Sequence, residues 1–180
     1  YSEVPELALK LKPNELFIDQ FTYTVTDTHG ATCEAIIDVY LMGENDPVVA
    51  ANDTVSIDED SYIQHIQVLN NDTDPDDNID STSLRIVSAP GNGVAAVNTS
   101  QGTVSYIPNP NFFGTDSLQY QICDEGMPVY CDAAWIFIEV KPVNDPPIAK
   151  RLVLKMNRNE TIAFEVLPQV EDIDGWIDQA

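Results

Sequence analysis

The chain has 180 residues and a formal net charge of −22 at pH 7, from 30 acidic and 8 basic side chains. This charge argues against nucleic acid as a partner, because phosphate backbones are bound by clusters of Lys and Arg. No run of about 18 consecutive apolar residues occurs, so no membrane span is predicted in this segment. No charged-then-apolar start suggests a signal peptide, and we expect any targeting signal to lie outside it.

Alternation between apolar and polar residues, the pattern of half-buried β-strands, recurs along the chain. It first predicts strands at 7–11, 21–25 and 37–41. Seven further strands are then predicted, at 54–58, 62–69, 83–88, 93–98, 103–108, 116–124 and 133–141. Gly, Pro, Asn and Asp separate them, and no sustained helical period occurs. The pattern indicates an all-β, antiparallel β-sandwich of immunoglobulin-like type.

The core of this sandwich is predicted from the same alternation. Its main candidates are Val55, Ile57, Ile66, Val68, Leu84, Ile86, Val104, Tyr106, Leu118, Tyr120, Ile122, Trp135, Phe137 and Ile138. In the last strand, however, Glu139 shares a face with Trp135 and Phe137, and Glu is rarely buried without a partner. We therefore expect Ile136, Ile138 and Val140 to face inward there, with Trp135 half covered.

Two tripeptides mark an internal repeat. Asn45-Asp46-Pro47 reappears as Asn144-Asp145-Pro146, 99 residues later (144 − 45), and Asp74-Pro75-Asp76 is matched by Asp172-Ile173-Asp174. A fixed period predicts an array of modules that each bury their own core. We expect residues 1–47 to be the C-terminal half of one module, 48–146 a complete module of about 98 residues, and 147–180 the N-terminal part of a third. The segment is then an excised piece of a longer array.

Three cysteines bear on the compartment. Cys123 and Cys131 bracket seven residues between two predicted strands, so a disulfide between them could close a hairpin and would imply an oxidising environment. Cys33 occupies the position equivalent to Cys131, but Thr26 stands where its partner would be. Cys33 is therefore predicted to be a lone thiol, and catalysis by it is not expected, because neither His comes with an orienting third group.

Several short motifs keep one order along the chain: Asp58-Glu59-Asp60, Val68 to Asp72, Tyr106-Ile107-Pro108, Phe113 to Ser117 and the Asn-Asp-Pro linkers. Together they resemble the cadherin-like, immunoglobulin-like tandem repeats of large bacterial surface proteins. The resemblance covers essentially the whole chain and implies an extracellular or cell-surface location. Four Asn-x-Ser/Thr sequons would carry sugar only in a eukaryotic extracellular host: Asn52, Asn71, Asn98 and Asn159.

The resemblance also implies Ca²⁺ at the module junctions, where carboxylates from two neighbours surround a hard cation. At the first junction the implied ligands are Asn45, Asp46, Asp74, Asp76 and Asp124. At the second they are Glu59, Asn144, Asp145, Asp172 and Asp174. Gly43 and Pro142 replace the acid expected before each linker, so one or two ions per junction are predicted rather than three. The alternative is a linker stiffened by its prolines, with Asp74 and Asp76 in Asx turns.

The series Asp74, Asp76 and Asn78 also invites an EF-hand interpretation. It fails because Ile79 occupies the obligatory glycine position and Arg85 the position of the bidentate glutamate. No EF-hand is therefore predicted.

The predicted function is an extracellular structural or adhesive spacer whose partners are neighbouring modules of the same or an identical chain. One alternative is a fibril subunit, in which the partial module at one end of a copy completes the partial module of the next. Another is a module that binds carbohydrate or a surface protein, with four aromatic candidates, Trp135, Trp176, Tyr130 and Tyr62. An enzyme is not predicted, because the acidic residues map to turns at module ends.

Overall fold

The computed structural model describes residues 11–173 and residue 175. Within them lie eleven β-strands and a short 3₁₀ turn at Leu167–Gln169. The first two strands form a hairpin, β1 Leu16–Thr26 and β2 Thr32–Met42. The next seven form the central module, β3 Asp53–Asp58, β4 Ile63–Ile66, β5 Ile79–Ser88, β6 Gly93–Asn98, β7 Thr103–Pro108, β8 Gly114–Asp124 and β9 Cys131–Lys141. The last two are β10 Ile148–Ala149 and β11 Val170–Glu171. Most of the predicted strand at 7–11 lies outside the described residues.

The central module is a sandwich of two sheets, with strand orders β3-β9-β8-β5 and β4-β7-β6. Strand β3 pairs with β9 in parallel, and the other pairings are antiparallel. The immunoglobulin-like sandwich predicted from the strand pattern is confirmed. Strand β4 is shorter than predicted, because its register shifts between Ile63 and Ile66, and Val68 N then donates to Ile66 O at 3.0 Å, which turns the chain out of the sheet.

Apolar side chains from both sheets fill the space between them. Strand β9 points Ile136, Ile138 and Val140 inward, each at most 2% exposed, as the position of Glu139 predicted. Of the core candidates, Val55 and Ile86 are only partly buried, and Phe137 and Trp135 lie on the outer face, where Trp135 is half covered as expected. The reason for the last two is the strict alternation of a strand, which cannot bury both faces of β9 in a single core.

One buried carboxylate ties the two sheets together. Asp116 accepts hydrogen bonds from Gly91 N (2.9 Å), Asn92 N (2.8 Å), Ser117 N (2.8 Å) and the hydroxyl of Tyr106 (2.9 Å). Burial alone would raise its pKa, but the hydrogen bonds from Asn92, Gly91, Ser117 and Tyr106 outweigh that effect and lower the pKa below its usual value. Asp116 is therefore held ionised inside the module.

The β1–β2 hairpin has a regular eleven-residue register from Leu16↔Met42 to Thr26↔Thr32. Its turn is closed by the Asp27 carboxylate, which accepts from His29 N and Ala31 N at 2.8 Å each, and Gly30 has a φ of 87°. Unlike the buried side chains of β8 and β9, many of its large apolar residues are exposed, for example Val25 at 52% and Ile37 at 48%, and others such as Phe21 are only half-buried. A two-stranded sheet cannot cover its own apolar face.

Candidate module junction

The first linker enters the central module through the side chain of Asn45. Although Asn45 precedes the first strand of the module, it is only 7% exposed. Its Nδ2 donates to Asp124 Oδ2 and to the carbonyl of Pro128, both at 3.0 Å. The partners lie in or beside the connection between β8 and β9, about 80 residues further along the chain. The buried amide is thereby fully engaged with the module, as a buried polar group requires.

The receiving loop, residues 125–130, which we call the β8–β9 loop, is shaped around this amide. Asp124 is 2% exposed, and its Oδ1 accepts from Gly126 N (3.1 Å) and Tyr130 N (3.0 Å). A Cβ placed on Gly126 would lie 1.7 Å from Asn45 Oδ1, well inside van der Waals contact. Only glycine therefore leaves room for the Asn45 side chain at this position.

A second set of contacts joins the linker to the loop between β4 and β5. The backbone N–H of Asp46 donates to Asp76 Oδ2 at 2.7 Å, and Asp76 N donates to Asp74 Oδ1 at 2.8 Å. The second of these contacts is an Asx turn. Asp74 and Asp76 are 9% and 5% exposed. The acidic residues that the sequence singled out at this junction therefore lie together and buried, apart from Asp46, which is half-buried.

Asn78 lies between the two sets and has more acceptors than it can satisfy. One terminal atom of its amide is 2.9 Å from Asn45 Oδ1, and the other is 3.0 Å from Asp74 Oδ2. The amide has a single NH₂ group, so it donates to only one of these acceptors. Whichever way the amide points, one pair of oxygen atoms remains in contact without a hydrogen between them. Such a contact favours a proton or a cation.

The electrostatics of Asp74 agree with this excess of acceptors. Burial is the main cause that raises its pKa, and the neighbouring charges of Asp76 and Asp124 raise it further, against hydrogen bonds from the backbone of Asp76 and Asn78. The only basic side chain paired with this loop among the described residues is Lys12, whose Nζ lies 3.1 Å from Asp77 Oδ2. That pair is exposed and contributes little to stability.

Further acidic residues, Asp53, Asp72 and Asp132, lie at the same end of the module. Asp72 Oδ1 accepts from Ala51 N and from the hydroxyl of Tyr120, each at 2.8 Å. The Oδ2 atoms of Asp53 and Asp72 are buried without a hydrogen-bond partner in the described structure. Burial, followed by the charge of Asp72, raises the pKa of Asp53 to about 6. Burial is also the largest cause that raises the pKa of Asp72.

The second junction is different. Glu59 is 3% exposed and accepts from Val143 N at 2.7 Å, so it does reach the second linker. Asn144, by contrast, is exposed and donates to the carbonyl of its own neighbour, Asp145, at 3.0 Å. Asp172 accepts from Gly175 N at 3.1 Å. Asp174 lies outside the described residues.

The remaining predicted sites lie apart from the junction or at its border. Cys123 and Cys131 are paired across β8 and β9 and form a disulfide, with Cα atoms 4.0 Å apart. Cys33 is exposed and forms no disulfide within the described residues. The four sequon asparagines are exposed, but three make side-chain hydrogen bonds within the chain. Asn52 Oδ1 accepts from Trp135 N at 2.8 Å, Asn71 Nδ2 donates to Asn52 O at 3.1 Å, and Asn98 Nδ2 donates to Gln101 Oε1 at 3.0 Å.

Sequence reasoning missed Asn78 as a member of the site, and it did not group Asp72 with Asp53 and Asp132. The signal for Asn78 was present in the spacing of Asp74, Asp76 and Asn78, which was considered only as an EF-hand. For the acidic group no local signal exists, because pairing between β3 and β9 and the loop after β4 brings distant residues together. No group of three or more His, Cys, Asp or Glu side chains with metal-binding geometry occurs in the described residues, and no helix there is long and apolar enough to cross a membrane.

One comparison with known proteins, that with family models, agrees with this architecture. Residues 45–128 match the family model described as bacterial Ig domain. No curated protein sequence matches the chain significantly. Similar solved structures include the protocadherin gammaB7 EC3-6 cis-dimer (16% identity, TM-score 0.49, covering 78% of this chain and 36% of that one). The structure of protocadherin gamma B2 extracellular cadherin domains 3-6 has 15% identity and a TM-score of 0.48, and the match covers 78% of this chain and 37% of that one. Human mucin-like protocadherin EC1-2 has 12% identity and a TM-score of 0.39, and the match covers 79% of this chain and 74% of that one.

This chain thus spans little more than a third of the first two structures. The family match begins at Asn45, so it includes the linker residue that the β8–β9 loop receives. Bacterial Ig domains are a non-enzymatic class and typically extracellular, which is consistent with an adhesive or spacer role. The chain therefore contains an immunoglobulin-like β-sandwich module that matches the bacterial Ig domain family over residues 45–128.

Proposed function

We propose that the chain is part of an extracellular spacer or adhesive rod, in which modules 1–47, 48–146 and 147–180 follow one another end to end. The insertion of Asn45 into the central module carries this proposal, because buried polar contacts between a linker and a module restrict the angle between neighbours. A linker meant only to tether would leave its polar groups in water.

The path of the chain through the central module supports a rod. The first linker meets the end of the module where β9 begins at Cys131, which we call the entry end. The second linker leaves where β9 ends, beside Glu59, which we call the exit end. Strand β9 has 11 residues, which at about 3.3 Å per residue separates the two ends by roughly 35 Å. Linkers at opposite ends give an extended array.

We also propose that one hard cation, with Ca²⁺ as the expected ion, binds at the first junction. Asn45, Asp74, Asp76 and Asn78 supply the oxygen ligands, and the unsatisfied contact at Asn78 is the observation that supports them. Asp124 already accepts three hydrogen bonds, so it is not assigned as a ligand and instead positions Asn45. When bound, the ion would neutralise the carboxylates that now repel each other and would cross-link the linker to the β4–β5 loop.

Small-angle X-ray scattering with Ca²⁺ and with chelator tests the rod and the ion separately. An extended particle in both conditions supports the rod, and a longer or stiffer particle with Ca²⁺ supports the ion. Calorimetric titration of the Asp74→Asn/Asp76→Asn variant should show loss of the binding seen in the parent chain. Asp58→Asn, an exposed change at the exit end, is the control. A compact particle in both conditions would contradict the rod.

A second candidate function is assembly by strand complementation between copies. Exposed apolar residues on the β1–β2 hairpin, such as Val25 and Ile37, and in the last segment, such as Leu154 and Phe164, favour it. Sedimentation over a range of concentrations tests it: Ile37→Asp should weaken association, whereas Ile107→Asp on the central module should not. A monomer at every concentration would rule it out.

Carbohydrate binding is supported by one observation. Trp135 and Phe137 are 37% and 46% exposed on the outer face of β9, with Gln119 and Ser117 directly opposite on β8. Aromatic rings beside polar side chains suit sugar stacking. Glycan-array binding that is lost in Trp135→Ala would support this function, and absence of binding to every glycan would contradict it.

A further inference from the structure

The disulfide lies directly at the base of the loop that receives Asn45. Cys123 and Cys131 are the last cross-strand pair of β8 and β9, and the β8–β9 loop begins two residues after Cys123 and ends one residue before Cys131. The loop supplies the carbonyl of Pro128 to Asn45, and Asp124 at its start supplies a carboxylate oxygen. The covalent link and the linker contact therefore share one short piece of chain.

The fit between this loop and Asn45 depends on the loop keeping one shape. Gly126 approaches Asn45 so closely that a single added carbon would overlap Oδ1 at 1.7 Å. Two backbone hydrogen bonds hold the two ends of the loop: Asp124 N donates to Tyr130 O at 3.0 Å, and Glu125 N donates to Asn78 O, outside the loop, at 2.9 Å. An open loop would have to find this arrangement again each time the linker docks, at a cost in conformational entropy.

We propose that the Cys123–Cys131 disulfide is the latch of the first junction. When oxidised, it holds the β8–β9 loop in the shape that accepts Asn45, so the hairpin and the central module keep one relative orientation. When reduced, the loop samples other shapes, Asn45 leaves more often, and the junction becomes a hinge. This inference rests on the proposed spacer function, whose stiffness it would regulate.

Reduction needs a dithiol, such as that of a thiol–disulfide oxidoreductase. The dithiol supplies two electrons and two protons: the Sγ–Sγ bond breaks, Cys123 and Cys131 become thiols, and the dithiol closes to its own disulfide. Cys33 takes no part, because it lies at the far end of the β1–β2 hairpin, next to the Thr26↔Thr32 pair.

Spin-label distance measurements on the full chain test the latch. Cys33 is an exposed free thiol on the hairpin, and Thr99→Cys adds an exposed one on the central module. In the Cys123→Ser/Cys131→Ser variant the distance distribution should widen about twofold, because an unclosed loop has more conformations. Gly126→Ala should widen it equally with the disulfide intact, and Glu125→Ala, an exposed change in the same loop, should not.

Each variant is measured with Ca²⁺ and with chelator, so that the latch and the ion are judged separately. A chelator effect in the parent chain supports the ion, whereas widening in the serine pair in both conditions supports the latch even if Ca²⁺ has no effect. A distribution as narrow in the serine pair as in the parent would overturn the latch. Should the serine pair unfold, dithiol reduction of the folded chain, with labels attached by thioether bonds, makes the same comparison.

Discussion

The two ends of the central module meet linkers of the same sequence in different ways. At the entry end Asn45 is buried between Asp124 and Pro128, whereas at the exit end Asn144 is exposed and, among the described residues, hydrogen-bonds only to its neighbour Asp145. The β8–β9 loop makes the difference, and no described residue offers Asn144 an equivalent. The Asn-Asp-Pro motif therefore makes buried contacts only where a loop such as the β8–β9 loop receives its asparagine. The receiving loop, and not the motif, determines whether the linker is held against the module.

The ends also differ in how they hold charge. At the entry end burial raises the pKa of Asp53, Asp72 and Asp74, each of which has a carboxylate neighbour. Toward the exit end Asp116 is surrounded by N–H and O–H donors, and its pKa is lowered. Desolvation is the largest single effect in all four cases, so the supply of donors decides the direction.

The largest expected effect is that of Asp124→Ala at the entry end. The change leaves three donors, Asn45 Nδ2, Gly126 N and Tyr130 N, without their acceptor in a buried place. We expect a loss of about 3 kcal/mol in the free energy of unfolding of the central module, because unsatisfied buried donors are costly. Urea denaturation followed by Trp fluorescence measures it. The control Glu125→Ala should change the free energy of unfolding little. Equal losses in the two variants would contradict a stabilising role for the hydrogen bonds that Asp124 accepts around Asn45.

Asp116→Asn should have the next largest effect, about 2 kcal/mol, since an amide cannot accept all four hydrogen bonds. The stability of this variant should also depend on pH differently from that of the parent. Because the folded pKa is lowered, Asp116 stabilises the module above the unfolded value of 3.8 and that contribution is lost as the pH falls through the folded pKa. The variant should therefore lose less stability between pH 4 and pH 2 than the parent, as measured by urea denaturation at each pH.

Asn45→Ala and Asn144→Ala compare the two linkers directly. Asn45→Ala removes the two hydrogen bonds that Nδ2 donates and leaves Asp124 Oδ2 and the Pro128 carbonyl without that donor, at a cost of about 1–2 kcal/mol. Asn144→Ala should cost less than about 0.5 kcal/mol, as exposed changes usually do. Thermal denaturation under identical conditions gives both values. Equal losses would mean that the two linkers are equivalent after all.

Among the changes at the entry end, the smallest effect is expected for Asp53→Asn, and its sign is opposite, because the change should stabilise the module. Asp53 has a folded pKa of about 6 against 3.8 unfolded, so its ionisation destabilises the module progressively as the pH rises between these values. The variant should be more stable than the parent at pH 7, by up to about 1 kcal/mol after allowance for solvent screening of this half-buried group. At pH 4 the two should be alike, and a variant that is less stable at pH 7 would show that burial of the Asp53 carboxylate, with the charge of Asp72 beside it, does not destabilise the ionised form.

Local pattern accounts for most of the fold. Period-two alternation located all seven strands of the central module, and the position of Glu139 identified the inward face of β9. The error in β4 has a local cause, since a bulge between Ile63 and Ile66 breaks the register that the alternation assumes. The junction was predicted only in part: Asp74, Asp76 and Asp124 were named, but Asn78 and the contact between Asn45 and Pro128 were not.

The sequence by itself determined the strands, the repeat and the clustering of acids near turns, because these depend on neighbours within a few residues. Tertiary structure alone decided that Asn45 is buried while Asn144 is exposed, and that Asp116 has donors while Asp53 and Asp72 face each other. Burial and hydrogen-bond supply depend on residues brought together from distant parts of the chain. They cannot be read from the motif that carries the carboxylate or the amide.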